Sequence, residues 1–365
     1  MRIVVSGGGT GGHIYPALAL INQLKARHLA DAVLYVGTEA GLESRIVPAN
    51  GIDFATIKVQ GFKRSLTLEN FKTITEFIKS VGDAKRLLKE FKPDVVIGTG
   101  GYVSGATVYA ASRLRIPTVI HEQNSVAGVT NKFLSHFVTK IAIAFPEVAS
   151  TFPAKKVVLT GNPRAQAVAG LTRNQRLADY GLNPEAPTLL IFGGSRGAPK
   201  MNQAAITAIP DLAAAGIQTL FVTGRRHFDA LHEAHPTLPA GIVMVPYIDD
   251  MPSILPDISL IVGRSGATSL AELTALGIPS ILIPSPNVTG NHQMINAKSL
   301  AKAGAAIVIP EADLTADFGH QVVALMQDPN RLTAMAQSAK HLGVPDAADQ
   351  LISVLQAAIK ESNHG

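Results

Sequence analysis

The 365-residue sequence has no cysteine, which removes disulfides, thiolate nucleophiles and zinc ribbons from consideration and fits a reducing compartment. It has no D-x-D pair and no H-E-x-x-H frame around His232 and His235, so two common ways of holding a catalytic metal are missing and no tightly bound metal cofactor is expected. No apolar run approaches the ~18 residues needed to cross a bilayer. The opening Met1-Arg2-Ile3-Val4-Val5-Ser6 runs into glycines too soon for a signal peptide. A soluble or peripheral protein is expected. Charged residues make up only 16% against 47% hydrophobic, a balance that excludes disorder. The net charge of +5 is too modest to indicate nucleic acid.

The length exceeds what one hydrophobic core usually supports, so two domains are expected. Short Val/Ile/Leu runs at 3–5, 32–36, 95–97, 118–120 and 141–144 alternate with amphipathic stretches, as in repeated βαβ units. The pattern restarts at Leu189-Leu190-Ile191-Phe192 and continues through runs at 220–222, 242–245, 258–262, 280–283 and 306–309. The fold class is therefore α/β, with two Rossmann-like doubly wound domains and a ligand cleft expected between them. The turn Gly161-Asn162-Pro163-Arg164 marks the junction, giving domains over 1–162 and 163–345. A helical pattern over about 346–365 follows. Its periodicity leaves its domain open, packing back on the first domain being one arrangement.

Each half opens with a strand and a glycine-rich turn. Gly7-Gly8-Gly9-Thr10-Gly11-Gly12 contains G-x-G-x-x-G, but Glu39 is poorly placed for the acid of a dinucleotide site. What the turn does offer is backbone N–H groups at a helix entrance, suited to an anion such as a diphosphate. His13 follows directly, where a neutral imidazole can accept a proton or merely pack. A second turn, 98–105, with Gly100 and Gly101, could face the same diphosphate or only satisfy backbone geometry.

In the other half, Gly193-Gly194-Ser195-Arg196-Gly197 has the spacing of a nucleophile elbow, with Asp249, Asp257 and His292 downstream in hydrolase order. Ser195 opens a nucleotide-type half instead, where it need only donate a hydrogen bond. Arg264-Ser265-Gly266-Ala267-Thr268-Ser269-Leu270-Ala271-Glu272 reads as a turn and helix start for a pyrophosphate. Glu272 is placed either for ribose hydroxyls or for the helix dipole. The amides of Asn291 and Gln293, at another loop-helix junction, suit neutral hydroxyls or capping.

The positive excess concentrates between Lys58 and Lys92, nine Lys/Arg against four acids. There Phe71, Ile74, Ile78 and Val81 form a helical stripe interleaved with Lys72 and Lys79, either a core face or a surface for anionic lipid.

Six motifs, Gly-Gly-Thr-Gly-Gly-His at 8–13, His-Glu-Gln-Asn at 121–124, Gly-Asn-Pro-Arg at 161–164, Gly-Gly-Ser-Arg-Gly-Ala at 193–198, Arg-Ser-Gly-Ala at 264–267 and Asn-His-Gln at 291–293, occur in order. Together they closely resemble the MurG family of N-acetylglucosaminyltransferases, which act in bacterial peptidoglycan synthesis. The resemblance spans about residues 3–300. It implies a GT-B fold and inverting transfer of GlcNAc from UDP-GlcNAc to the 4-hydroxyl of MurNAc-pentapeptide on lipid I, giving lipid II. It also implies work at the cytoplasmic face of the cell membrane, bound peripherally to its anionic surface, with cell-wall synthesis and division proteins as partners.

By the same resemblance, His13 would be the general base. Thr10, Gly11, Gly12 and Asn124 would contact the GlcNAc side of the donor and Gln293 the sugar hydroxyls. Arg164 and Ser195 would serve the diphosphate, and Ile248 would meet the uracil through its backbone. Ala267, Thr268, Ser269, Leu270 and Ala271 would form the phosphate turn and helix, with Glu272 on the ribose. The turns at Gly8, Gly9, Gly100 and Gly101 would face the lipid I diphosphate. The alternative on the same fold would be a UDP-GlcNAc 2-epimerase, an isomerase that would bind the donor similarly but need no lipid acceptor.

Overall fold

A computed structural model describes residues 1–59, 69–194 and 197–363, apart from the side chains of 69–74 and 363. The chain forms two compact units: Met1–Ala167 together with Asp346–Gly365, and Val168–Pro345.

The first unit is built on seven strands: β1 (Arg2–Gly7), β2 (Ala32–Gly37), β3 (Asp53–Thr56), β4 (Val95–Gly100), β5 (Thr118–Glu122), β6 (Lys140–Ile143) and β7 (Val157–Leu159). They lie parallel in the order β3-β2-β1-β4-β5-β6-β7. Every residue of β4 and β5 is buried, as a parallel sheet covered by helices on both faces requires. That double burial explains the unbroken apolar runs in the sequence. The short flanking strands β3 and β7 are at most half buried; β3 has no apolar run, and the apolar run of β7 is the three residues Val157-Val158-Leu159.

The helix Gly11–Ala26 turns Ile14, Ala17, Leu18, Leu20, Ile21 and Leu24 onto the sheet. The helix Ala347–Asn363 packs beside it, with Leu351, Ile352, Leu355 and Ala358 entering the same core as Ile3, Val5 and Leu24. The division between units falls after Ala167, five residues past the boundary read from the Asn-Pro turn. Arg164 therefore sits on the first unit, where its guanidinium lies over the Tyr15 ring, 5.8 Å from the centroid. Gln166 is likewise fixed there by bonds to Asp349.

The second unit has six parallel strands, β8 (Thr188–Phe192), β9 (Gln218–Val222), β10 (Ile242–Val245), β11 (Leu260–Gly263), β12 (Ser280–Leu282) and β13 (Ala306–Val308). Their order is β10-β9-β8-β11-β12-β13. In both sheets the direction of winding reverses between the first strand and its partner, at β1/β4 and at β8/β11. Such a reversal splays the connecting loops apart at the carboxyl ends of the two strands and leaves a crevice there. The glycine turns after β1, β4, β8 and β11 all fall at these two points.

Candidate active site

In the first unit the turns after β1 and β4 are packed together by glycines. Gly101, with φ +86°, lies so close to the first turn that a Cβ would stand 2.6 Å from the Gly8 carbonyl oxygen. Gly100, with φ +116°, is pressed against the His13 ring, where a Cβ would come within 2.6 Å of Cδ2 and 2.7 Å of Nε2. Larger residues at either position would separate the turns or displace the imidazole.

The backbone bonds sort the amides of the first turn. Gly8 N–H donates to Gly100 O at 3.2 Å, and Gly9 N–H donates to Glu43 Oε2 at 3.0 Å. Both donors are consumed inside the protein. The N–H groups of Thr10, Gly11 and Gly12 open the helix, where no preceding turn supplies acceptors, and they are the donors this turn can turn toward a ligand. On the second turn Gly101 precedes the helix Tyr102–Arg113, and Ser104 Oγ donates back to Gly101 O at 2.9 Å.

His13 Nδ1 lies 2.8 Å from Gly8 O, with Thr10 Oγ1 farther off at 3.4 Å. A carbonyl oxygen only accepts, so this bond places the ring proton on Nδ1 and leaves the lone pair of the neutral ring on Nε2. The backbone of His13 is held as well, its carbonyl accepting from Thr99 Oγ1 at 2.8 Å.

The segment 121–124 is a buried polar network beneath these turns. His121 Nε2 is 2.9 Å from Gly161 O, and its Nδ1 is 3.2 Å from Gln123 Nε2, which also donates to Thr99 O at 2.7 Å. Burial pushes the His121 pKa down to about 4, so the ring is neutral. Glu122 accepts from Asn124 N–H at 3.1 Å, and from Gly128 N–H and Asn131 Nδ2 at 2.9 Å each. Asn124 is thereby fixed by its own backbone at the carboxyl end of β5.

In the second unit the turn after β8 holds Gly194 at φ +92° and Gly197 at φ +73°, the latter against Thr223 O and the His227 ring. Ser195 lies outside the described residues. After β11, Arg264 bonds Ile283 O at 3.0 Å and pairs with Glu311, which anchors the turn instead of leaving the guanidinium to a ligand. Ser265 Oγ donates to Gln293 O at 2.7 Å, and Asn296 Nδ2 donates to Ser265 O at 3.2 Å. Gln293 Oε1 accepts from Ser285 N–H at 2.8 Å, which fixes the amide and makes Nε2 its donor end for a hydroxyl.

The helix Ala267–Leu276 begins at Gly266, so the N–H groups of Ala267, Thr268 and Ser269 have no intrahelical acceptor. Thr268 Oγ1 is buried with no hydrogen-bond partner among the described residues, in the same first turn. Leu270 is core and Ala271 half-buried; Glu272 is largely buried on the next turn. Ile248 is also buried, beside Tyr247, whose ring is covered by Arg225 at 4.6 Å. Among the described residues no group of three His, Asp or Glu is placed to hold a metal.

The basic stripe divides differently from its sequence reading. In the helix Glu69–Phe91 the buried face is Val81, Ala84 and Leu88, with Phe77 packed at its edge. One residue is about 100° of helix. Ile78, about 100° from Phe77 and about 60° from Val81, falls at the margin of the buried face and is 64% exposed; Lys79 is exposed beside it. The side chains of Phe71, Lys72 and Ile74 lie outside the described residues. Sequence periodicity missed the larger feature. Phe77, Tyr109, Phe133 and Phe137 form an aromatic cluster with ring centroids 5.1–6.3 Å apart. Phe133, Phe137 and Val129 are partly open to solvent at 39%, 41% and 76%.

Two parallel doubly wound sheets with phosphate-type turns at both winding reversals define a GT-B-like glycosyltransferase. Residues 3–143 match the glycosyltransferase family 28 N-terminal domain and residues 188–351 its C-terminal domain; the chain belongs to that family. It is 64% identical over 361 residues to the UDP-N-acetylglucosamine--N-acetylmuramyl-(pentapeptide) pyrophosphoryl-undecaprenol N-acetylglucosamine transferase of Lacticaseibacillus casei, covering 99% of both chains. Among solved structures, Acinetobacter baumannii MurG matches with TM-score 0.77 and 30% identity, over 98% of this chain and 99% of that one. UDP-GlcNAc 2-epimerase of Neisseria meningitidis, bound to UDP-GlcNAc, matches with TM-score 0.70 over 98% of this chain and all of that one. At 14% identity that likeness concerns the fold.

Proposed function

We propose that this protein transfers GlcNAc from UDP-GlcNAc to the 4-hydroxyl of the MurNAc-pentapeptide of lipid I, with inversion, forming lipid II and UDP. The observation that carries the reading is the bond from His13 Nδ1 to Gly8 O, which leaves Nε2 as a proton acceptor beside the turns of the first unit. In the step, Nε2 takes the proton of the 4-hydroxyl as its oxygen forms the bond to C1 of GlcNAc. The bond from C1 to the β-phosphate oxygen breaks, its electron pair leaves with UDP, and His13 returns its proton to solvent.

The donor is assigned chiefly to the second unit. The unpaired N–H groups at Ala267–Ser269 and the buried Thr268 hydroxyl suit the phosphates, Glu272 the ribose, Gln293 the sugar hydroxyls, and the backbone of Ile248 the uracil. Ser195 and Arg164 are assigned to the diphosphate. Thr10, Gly11, Gly12 and Asn124 are assigned to the GlcNAc. The transfer needs no tightly bound metal, a reading supported by the lack of a D-x-D pair. For the lipid I diphosphate, the consumed amides of Gly8 and Gly9 turn the assignment toward Gly101 and the helix start that follows it.

The acceptor is lipid-linked, and the exposed Ile78, Val129, Phe133 and Phe137 with Lys79 and Lys132 suit an anionic cytoplasmic membrane face. Peripheral binding there would place the enzyme in cell-wall growth, cell shape and division, among the proteins that use its product.

The test is incubation of the purified protein with radiolabelled UDP-GlcNAc and a lipid I analogue. A β-linked disaccharide on the lipid is expected; label recovered only as the 2-epimer of the donor sugar would overturn the reading.

A further inference from the structure

One buried acid has no part in the reaction as assigned. Glu43 opens the helix Glu43–Ala49 after β2, and its residue surface is wholly buried. Its Oε1 accepts from Thr38 N–H at 3.1 Å and from Thr38 Oγ1 at 2.7 Å; its Oε2 accepts from Gly9 N–H at 3.0 Å. Burial alone would raise its pKa, but the bonds from Thr38 and Gly9 outweigh it and hold the group below the ordinary carboxylate range, so it is ionised. The surrounding sequence is shaped to this side chain. A Cβ at Gly8 or Gly41 would overlap the carboxyl group, and one at Gly37 would stand 2.7 Å from Cγ.

The N–H of Gly9 and the C=O of Gly8 belong to one peptide group. Its nitrogen end donates to the Glu43 carboxylate and its oxygen end accepts from His13 Nδ1 at 2.8 Å. We propose that Glu43 is a positioning residue that orients and polarises the imidazole of His13 through the Gly8–Gly9 peptide. The arrangement is carboxylate, peptide, imidazole.

Three physical effects follow. The planar peptide cannot turn its oxygen without turning its nitrogen, so the carboxylate fixes the acceptor that seats the ring. A negative charge on the N–H end draws electron density toward the carbonyl oxygen and strengthens the second bond, as linked hydrogen bonds do. The stronger bond favours the proton on Nδ1 and raises the basicity of Nε2. In Ser-His-Asp sites a carboxylate performs this role by direct contact with the imidazole. Here one peptide group stands between them, and the acid remains buried behind a turn of glycines, away from the anionic substrates. That placement also answers why the turn needs glycine at position 8: the carboxyl occupies the space a side chain would fill.

The inference rests on the reading of His13 as general base, and its test separates the two. Glu43→Gln keeps the volume and removes the charge, and it puts an NH₂ group among donors. Disaccharide formation is measured together with the ¹⁵N shifts of His13, assigned by comparison with His13→Ala. Glu43→Gln is expected to lower kcat about tenfold or more while donor KM stays within about twofold, part of the general-base effect. The wild-type ring should be the Nδ1–H tautomer, and the variant a mixture.

If Glu43→Gln does not fold, judged by its melting transition, Thr38→Val deletes one bond to the carboxylate and leaves the charge. It should give a smaller fall in kcat and a smaller tautomer shift in the same direction. A wild-type protein that makes no disaccharide overturns the transfer reading, and a His13→Ala variant that turns over normally removes His13 from the step and the relay with it. If His13→Ala is crippled while the Glu43 or Thr38 variant keeps wild-type kcat and tautomer, the relay alone is wrong.

Discussion

Gln166 and Asp349, 183 residues apart in the chain, bond each other twice: Gln166 Nε2 donates to Asp349 Oδ2 at 2.9 Å, and Asp349 N–H donates to Gln166 Oε1 at 2.9 Å. The chain leaves the first unit after Ala167 and re-enters it at Asp346, so this pair ties the two crossings together on one side. Gln23 Nε2 at 2.8 Å, from the first helix, and Arg27 Nη1 at 2.7 Å, just past its end, complete the shell around Asp349. Asp349→Ala should therefore lower the stability of the first unit by ~1–3 kcal/mol, the cost of stranding such donors.

The same carboxylate gives a pH signature. Its pKa is lowered, first by the bond from Gln23 and against some burial, then by Gln166 and Arg27. A depressed carboxylate stabilises the fold above its unfolded pKa of about 3.9, and that contribution is lost as pH falls through the folded value. Urea titrations from pH 6 to pH 2.5 should show Asp349→Ala converging on the wild type at the acid end. A constant gap would mean that the charge is not involved.

His121 gives a signature in a higher window. Its folded pKa of about 4 lies below the unfolded value of about 6.5, so the unfolded chain takes up the proton first as pH falls. Stability from the neutral ring is full above pH ~6.5 and declines toward pH ~4, by about 3 kcal/mol in all. Replacing His121 with Gln should flatten the unfolding midpoint across that range. If the slope persists, another group is responsible for it.

Glu272→Ala should raise the donor KM about tenfold or more, the scale of a bidentate bond to hydroxyls, while leaving kcat within about threefold. Steady-state kinetics with varied UDP-GlcNAc decides this. An unchanged KM would take the ribose away from Glu272.

Ile78→Ser together with Val129→Ser should release the protein from anionic vesicles in a sedimentation assay and leave its melting temperature nearly unchanged. Both side chains are mostly exposed, at 64% and 76%, so little core is lost. Retained vesicle binding would move the membrane surface elsewhere.

The residues most legible in the sequence are those whose environment is repetitive. Strands such as β4 and β5 are buried on both faces and read as continuous apolar runs, and the glycine turns follow them directly. β3 escaped because Asp53-Phe54-Ala55-Thr56 has neither an apolar run nor clean alternation, and β7 because its Val157-Val158-Leu159 is only three residues long and directly follows two lysines. The stripe through Ile78 and Val81 stayed open between core and lipid surface because apolar residues run around much of one helix, and only packing tells that Val81 and Phe77 belong with the buried set while Ile78 is exposed. Glu43 escaped for a different reason. A dinucleotide-type turn calls for an acid that bonds ribose, and the acid nearest that place in the sequence is Glu39, not Glu43. The informative signal was the pair Gly37 and Gly41 around Thr38, ahead of a carboxylate. Hydrogen-bond partners of that kind lie 34 residues away in sequence and become visible only in three dimensions.

The return of the chain to the first unit fixes an order of events during synthesis. Val168–Pro345 is continuous and can close its own core as soon as it clears the ribosome. Met1–Ala167 is made earlier but lacks the helix Ala347–Asn363, whose Leu351, Ile352 and Leu355 fill the space against Ile3, Val5 and Leu24. The half translated first thus finishes last, and the strand that carries the glycine turn beside His13 waits for residues near 350 before one of its faces is sealed. A nascent chain with Val168–Pro345 clear of the ribosome and Ala347–Asn363 still inside it would hold a completed second unit and an unsealed first one, a target for chaperones.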